Sequence, residues 1–247
     1  MCIRDRPDHT ERMLRGFGVE VAVDGLTVRI AGGQTLTATS LTVPGDISSA
    51  AFFLVAAAMT PGSALQIKAV GMNPTRTGVI DILRLMGADI SVDNPRETGG
   101  EPIADLSVTG KQLRGIDIPE DLVSLAIDEF PALFVAAASA SGTTVVSGAE
   151  ELRVKETDRI QVMADGLRAL GADIIDTPDG ARITGKRLSG GTADSCGDHR
   201  TAMSFAMASL ISDAPINVLD CANVNTSFPG FAGTAASAGL RITEVDG

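Results

Sequence analysis

The chain contains no tryptophan and no tyrosine, and only 3% of its residues are aromatic. A core without large polar rings has to be filled by Ala, Val, Leu, Ile, Met and a few Phe. Bases find little to stack on, and a formal net charge of −11 makes nucleic acid a poor partner. Two histidines, His9 and His199, stand far apart, and three cysteines, Cys2, Cys196 and Cys221, lack metal-ligand spacing, so no zinc site is expected. An odd cysteine count without a framework pattern points to a reducing compartment. Met1 to Arg6 has no apolar signal-peptide stretch, and the apolar run Ala50 to Met59 is too short to span a bilayer. These absences predict a soluble, cytoplasmic protein with neither nucleic acid nor membrane as partner. Its 247 residues allow one large domain or two smaller ones.

What is present is a local concentration of charge. Leu152-Arg153-Val154-Lys155-Glu156-Thr157-Asp158-Arg159 gathers three cations inside an acidic chain. A helix opening near Lys155 sets Lys155 and Arg159 at i and i+4 on one face, where like charges repel. The partial positive charge of the helix N-terminus falls on the same spot. An anion between them, a phosphate or a carboxylate, relieves the repulsion. The plainer alternative is a solvated helix face on which Glu156 and Asp158 neutralise the cations locally.

Self-similarity organises the rest of the chain. Four segments close a helical pattern on glycine and run on into an apolar strand: Phe17-Gly18-Val19-Glu20-Val21, Met86-Gly87-Ala88-Asp89-Ile90, Leu170-Gly171-Ala172-Asp173-Ile174 and Ala238-Gly239-Leu240-Arg241-Ile242. Glycine just past a helix is the expected left-handed cap. Ahead of the last three, Asp46, Asp128 and Asp198 each precede a small-residue helix, 41, 43 and 41 residues before their glycines. Between the two helices of each unit lies a strand candidate: Ala64-Leu65-Gln66-Ile67, Thr143-Thr144-Val145-Val146 and Pro215-Ile216-Asn217-Val218-Leu219. Asp24-Gly25 and Asp179-Gly180 mark tight hairpin turns, and in the unit between them the connection runs from Asn94 to Gly100. The prediction is an α/β architecture of repeated β-α-β-α-β-β units. One partial unit ends at about Thr42 and three more follow, the last without a closing strand. Ala50 to Met59 and Ala132 to Ala140 carry almost no charge, so the helices belong inside and the sheets outside.

Equivalent units point their helix N-termini the same way, and the residues there can converge. First-helix openings carry Asp46, Asp128 and Asp198-His199-Arg200; second-helix openings carry Arg76, Lys155 to Arg159, and Asn225-Thr226-Ser227. Arg76, Lys155, Arg159 and Arg200 make that face suited to phosphate or carboxylate, arginine by bidentate contact and lysine as a point charge or acid-base group. Each residue also has a plainer role: N-caps for the aspartates, a structural histidine, a surface cation for Arg76, first-turn polar filler for Ser48-Ser49. Repetition supports an anion-binding face without naming a reaction.

Five motifs in order then resemble the C-terminal part of the bacterial 5-enolpyruvylshikimate-3-phosphate synthase family: Asp8-His9-Thr10-Glu11-Arg12-Met13-Leu14, Val43-Pro44-Gly45-Asp46-Ile47-Ser48-Ser49-Ala50, the Leu152 to Arg159 stretch, Asp198-His199-Arg200-Thr201-Ala202-Met203-Ser204-Phe205 and Thr226-Ser227-Phe228-Pro229. The resemblance implies the enolpyruvyl transferase fold, incomplete here, and a monomer in full-length members. It implies transfer of the enolpyruvyl group of phosphoenolpyruvate to the 5-hydroxyl of shikimate 3-phosphate, by addition and then elimination of phosphate, without metal or organic cofactor. It makes Arg159 and Arg200 clamps for phosphoenolpyruvate. Lys155 bridges the two substrates and joins in proton transfer, Glu156 is the other acid-base group, and Asp128 holds or deprotonates the attacking hydroxyl. Asp46 and Asp198 stay structural.

The chain departs from the family pattern in three places. The N-terminal half, with its own substrate-binding residues, has no counterpart. Arg6-Pro7 stands where the family has Ser-Arg, so Met1 to Arg6 reads as a truncation junction. Thr226 replaces a lysine found in many members, a subgroup mark. The expected organisation is therefore residues 1–42 as the remnant of an N-terminal substrate domain and 43–247 as a C-terminal domain of three units. Such a chain should be inactive alone; the competing expectation is a non-catalytic anion-binding or interaction module on the same fold.

Overall fold

The structure, a computed structural model, describes residues 8–245; Cys2 and the Arg6-Pro7 departure lie outside them. The chain opens with α1 (His9–Gly16) and the antiparallel hairpin β1 (Val21–Asp24) and β2 (Thr27–Ile30). The next unit holds α2 (Ile47–Ala58), β3 (Ala64–Gly71), α3 (Gly78–Leu85), β4 (Asp89–Thr98) and β5 (Glu101–Thr109). After the single turn α4 (Glu120–Val123) come α5 (Phe130–Ser139), β6 (Thr143–Val146), α6 (Arg159–Ala169), β7 (Asp173–Thr177) and β8 (Gly180–Thr184). The last unit holds β9 (Gly191–Asp194), α7 (His199–Ala208), β10 (Ile216–Leu219), α8 (Val224–Ser227) and α9 (Phe231–Ser237).

The repeat expected from the sequence is present in the sheets. β3-β5-β4 and β6-β8-β7 have the same strand order and the same antiparallel pairing. The leading strand of each unit runs parallel to the strand after the first helix. It is a full strand in the last unit, where β9 pairs with β10, and shrinks to isolated bridges, Gly45 with Val70 and Asp117 with Val145, in the two before. The four capping glycines, Gly18, Gly87, Gly171 and Gly239, all have positive φ. Three details differ from expectation. The two-residue hairpin loops are Gly25-Leu26 and Pro178-Asp179, one position off the Asp-Gly pairs. The longer hairpin turns on Gly99-Gly100 alone, since β4 continues through Asn94 to Thr98. Leu240 to Ile242 forms no strand, because the hairpin partner that β5 and β8 supply to β4 and β7 has no equivalent among the described residues.

Helices α2, α5 and α7 pack on one another in the interior and the sheets lie outside. Every residue of α2 except Ser49 is buried, and every residue of α5 except Ser139. Their alanines let the backbones approach closely, which compensates for the missing large rings. Glu120 to Ser139 is apolar enough by length and composition to cross a membrane, but it is broken at Ala126 (φ −133°) and packed into this core. Phe228 packs edge-on and Phe231 tilted against Phe53 on α2, with centroids 6.0 and 5.8 Å away, and so they pin the end of α8 and the start of α9 to the core. At Gly166 a side chain would collide with Phe205, a Cβ there lying 2.2 Å from the ring, so glycine is what lets α6 lie against α7.

The long sheet carries its own internal strut. Both β3 and β4 bulge opposite Asp105 on β5, between Ile67 and Val70 and between Asp93 and Arg96. Asp105 accepts from the Ala69 N–H at 2.8 Å, from Asn94 Nδ2 at 3.0 Å and from Arg96 at 3.2 Å, and these bonds, the Ala69 one foremost, hold its carboxyl at about 2. A depressed carboxylate contributes stability that is complete above the unfolded value, 3.8, and is lost as pH falls through the folded one. Asp105→Asn should therefore lower Tm at pH 7, with the gap to the parent closing between about pH 4 and pH 2; thermal melts across that range check it, and a gap independent of pH would contradict it.

Candidate active site

Asp128 lies on the 3-10 turn Ser124–Glu129 that feeds α5, so it is not an N-cap. The cap position of α5 is Glu129, and its side chain caps nothing. Asp46 and Asp198 do cap: Asp46 accepts from the Ser48 and Ser49 N–H groups at 3.1 and 3.0 Å, and Asp198 from the Arg200 N–H at 2.8 Å. Freed from that duty, the Asp128 carboxylate projects among four cations. Lys155 Nζ and Arg159 Nη1 stand 3.7 Å from its Oδ1, and Arg200 Nη2 and Arg76 Nη2 stand 3.7 and 3.8 Å from its Oδ2. All four are beyond the 2.7–3.2 Å of a direct N–H···O bond. Burial pushes the Asp128 carboxyl up, but the cations, Arg200 first, outweigh it and hold the group below its ordinary value.

The cations reach this point by routes the sequence only half discloses. The helix does not open near Lys155. Lys155 is extended (φ −78°, ψ −154°) after the 3-10 turn Glu150–Val154, and α6 starts at Arg159 because Asp158 caps it, accepting from the Gln161 N–H at 2.9 Å. Lys155 and Arg159 meet over Asp128, not along a helix face. Local neutralisation is also partly real. Asp158 takes Arg153 at 2.6 Å, and Arg153 is turned away to the β7–β8 hairpin, where it donates to the Pro178 carbonyl at 2.7 Å. Glu156 takes Arg159 Nη2 at 2.5 Å, and Lys155 is paired with Glu151.

Arg159 is the most deeply placed of the set, 1% exposed, with Nε donating to the fully buried Asp198 at 2.8 Å. Burial pushes Asp198 up and Arg159 more than offsets it, so Asp198 titrates below its ordinary value. Arg200, in the first turn of α7, also donates from Nη1 to the Asp128 carbonyl at 3.2 Å. His199 beside it is held below its ordinary value by burial and then by Arg200, which suits a neutral structural histidine. Thr226 is exposed on α8.

Of the residues expected at the site, Asp128, Lys155, Arg159 and Arg200 come together directly, and Glu156 joins through Arg159. Three more residues belong here: Arg76 and Ser48, which the sequence reads also as a surface cation and as polar filler, and Glu129, to which it gives no role. Arg76 is no surface cation: its Nη2 donates to Ser48 Oγ at 2.5 Å and faces Glu129 Oε1 at 3.6 Å. Ser48 and Glu129 are both 2% exposed and hydrogen-bonded to each other. Arg76 is among the cations that the repeat predicts to converge, since it occupies the second-helix opening equivalent to Lys155 to Arg159; Ser48 and Glu129 are not foreseen in this role. Four cations thus surround the Asp128 carboxylate, and among the described residues no group of three or more His, Cys, Asp and Glu side chains stands together as metal ligands do.

Glu129 differs from Asp128 in sign. Burial pushes its carboxyl above the ordinary 4.5, against the Ser48 hydrogen bond and the Arg76 and Arg200 charges. A raised carboxyl costs folding stability as pH rises through its folded value. Glu129→Gln should raise Tm at pH 7, by a margin that grows as pH climbs from about 4.5. Melts of the two proteins at several pH values decide this, and a variant less stable at neutral pH would refute it.

A sequence profile of the family described as EPSP synthase (3-phosphoshikimate 1-carboxyvinyltransferase) matches residues 5–234. The 3-phosphoshikimate 1-carboxyvinyltransferase of Methylococcus capsulatus is 62% identical over 235 residues, which are 95% of this chain and 54% of that protein. The enzyme of the same name from Alkalilimnicola ehrlichii is 60% identical, over 97% of this chain and 54% of its own length. A solved EPSP synthase structure from Acinetobacter baumannii superposes with a TM-score of 0.94 at 55% identity, over 96% of this chain and 56% of that one. The chain spans about half the length of the curated relatives it matches. It belongs to the EPSP synthase family.

Proposed function

We propose that the chain supplies one face of a site that transfers the enolpyruvyl group of phosphoenolpyruvate to the 5-hydroxyl of shikimate 3-phosphate. The observation that carries this reading is the Asp128 carboxylate, kept ionised among four cations that all stop short of contact. Such spacing leaves room for a hydroxyl to hydrogen-bond to Asp128 while Lys155, Arg159 and Arg200 engage an anion. Asp128 holds the 5-hydroxyl and takes its proton as the oxygen attacks C2 of phosphoenolpyruvate; Lys155 or Glu156 delivers a proton to the vinyl carbon. The tetrahedral adduct then loses phosphate and one methyl proton, restoring the double bond. Arg159 and Arg200 clamp the carboxylate and phosphate of phosphoenolpyruvate, which requires the half-exposed Glu156 to swing off Arg159. No cofactor or metal enters, and the setting is cytoplasmic.

The reading extends to organisation. Residues 8–42 belong with a second domain, and 43–245 form the catalytic face described above. Among the described residues, seven of the fourteen exposed large apolar side chains fall between Met13 and Leu41, and no further strand pairs with either edge of the β1–β2 hairpin. Hydrogen exchange on the isolated chain should find this region far less protected than α2 and α5, and equal protection would contradict the division.

The reaction is tested by combining the chain with a separately expressed N-terminal half from a close relative and supplying both substrates in D2O. Addition and elimination require deuterium from solvent in the methylene of the product. Product formed without deuterium would exclude protonation at that carbon, and no product would remove the assignment.

A further inference from the structure

Three groups behind Asp128 have no part in the reaction as drawn above. Arg76 Nη2 donates to Ser48 Oγ, and Ser48 Oγ donates onward to Glu129 Oε1, a relay that joins the first turn of α2, the loop before α3 and the turn before α5. The same Nη2 lies 3.6 Å from Glu129 and 3.8 Å from Asp128, between two consecutive carboxylates. At Gly78, two residues on, a Cβ would lie 2.8 Å from the Leu125 carbonyl carbon, so the start of α3 is pressed against the very turn that carries Asp128. We infer that Arg76, anchored by Ser48 and Glu129, is a positioning residue that fixes the orientation and charge of the Asp128 carboxylate.

The other cations are less suited to that task. Lys155 is paired with exposed Glu151, and Arg159 is shared with exposed Glu156. Arg200 borders the same opening. If these three engage ligand, their hold on Asp128 changes as ligand arrives and leaves. Arg76 is tied to two groups that are 2% exposed, so its charge stays at Oδ2 throughout. It also stands between Asp128 and Glu129 and shields one from the other. The inference rests on the reading of Asp128 as partner of the attacking hydroxyl, but its test needs no turnover.

The charged groups facing Asp128 are Arg76, Lys155, Arg159, Arg200 and the adjoining Glu129, and the experiment changes Arg76 and, as a control, Lys155. The Asp128 carboxyl carbon is titrated by 13C NMR in the full chain, for the parent and for Arg76→Gln, Arg76→Lys, Ser48→Ala and Lys155→Gln. Removing one cation at this range should raise the Asp128 midpoint by about one unit. Arg76→Gln is expected to show that rise, Arg76→Lys to restore most of the parent value, and Ser48→Ala to give a smaller rise through loss of the anchor. Lys155→Gln shows that the titration senses a neighbouring charge. An unmoved midpoint in both Arg76→Gln and Ser48→Ala, with Lys155→Gln shifted, would overturn the inference. If Arg76→Gln does not fold, the Ser48→Ala midpoint decides alone. Failure of the transferase reading would show separately, as absent turnover with the midpoints as expected.

Discussion

Arg159→Ala should destabilise the folded chain by about 3–5 kcal/mol, the range for removing one partner of a buried ion pair. The guanidinium is 1% exposed and reaches three carboxylates, of which Asp198 has no access to solvent at all. Without Arg159, Asp198 keeps only the Arg200 and Thr201 N–H groups and a long bond from Thr157 at 3.3 Å. A buried carboxylate so depleted has to take up a proton or draw in water, and α7 loses the link between its cap and α6. Arg159→Lys keeps the charge but cannot span Asp198 and Glu156 together, so most of the loss should remain. Urea denaturation with a common m-value checks this. A loss below about 1 kcal/mol, the worth of an exposed pair, would mean that the guanidinium is not desolvated in solution.

Asp128→Asn should separate binding from chemistry. In the enzyme assembled with an N-terminal half, loss of the hydroxyl's base should reduce kcat by about 10²–10⁴-fold, the usual contribution of a positioned proton acceptor. Inorganic phosphate should meanwhile bind the variant chain more tightly than the parent, because the one carboxylate among four cations is gone. Calorimetric titration with phosphate at low and high salt reads the second effect, which should fade as salt screens it. Weaker phosphate binding in Asp128→Asn would mean that the carboxylate organises the cations more than it competes with the anion.

The period of the fold was legible because it rests on features local in sequence. Glycine caps, short apolar strands and charge-free helices recur at nearly fixed spacing, and each is specified within a few residues. The convergence of cations was legible for the same reason, since equivalent units place equivalent openings together. The start of α6 was missed because two acids competed to explain the cations, and only geometry shows that Asp158 caps the helix and takes Arg153 while Glu156 takes Arg159. Asp128 looked like the third of three caps because its place in the repeat matches theirs; the 3-10 turn that displaces it by one residue leaves no mark in composition. Glu129 and Ser48 carry no signal of burial, because their burial depends on α2 and α5 packing side by side, a contact 81 residues apart in the chain. The missing strand at Leu240 to Ile242 has the same origin, since a strand exists only with its partner.

On the proposed reading, this chain holds the acid-base and anion-clamping groups of an enolpyruvyl transfer site and needs a second set of residues to use them. Phosphate release from phosphoenolpyruvate in the presence of shikimate 3-phosphate tests it most directly, with the chain alone, with the chain plus an N-terminal half, and with an Arg200→Ala chain plus that half. The expected result is release only from the second combination. Full turnover by the chain alone, or by the Arg200→Ala pair, would contradict the account.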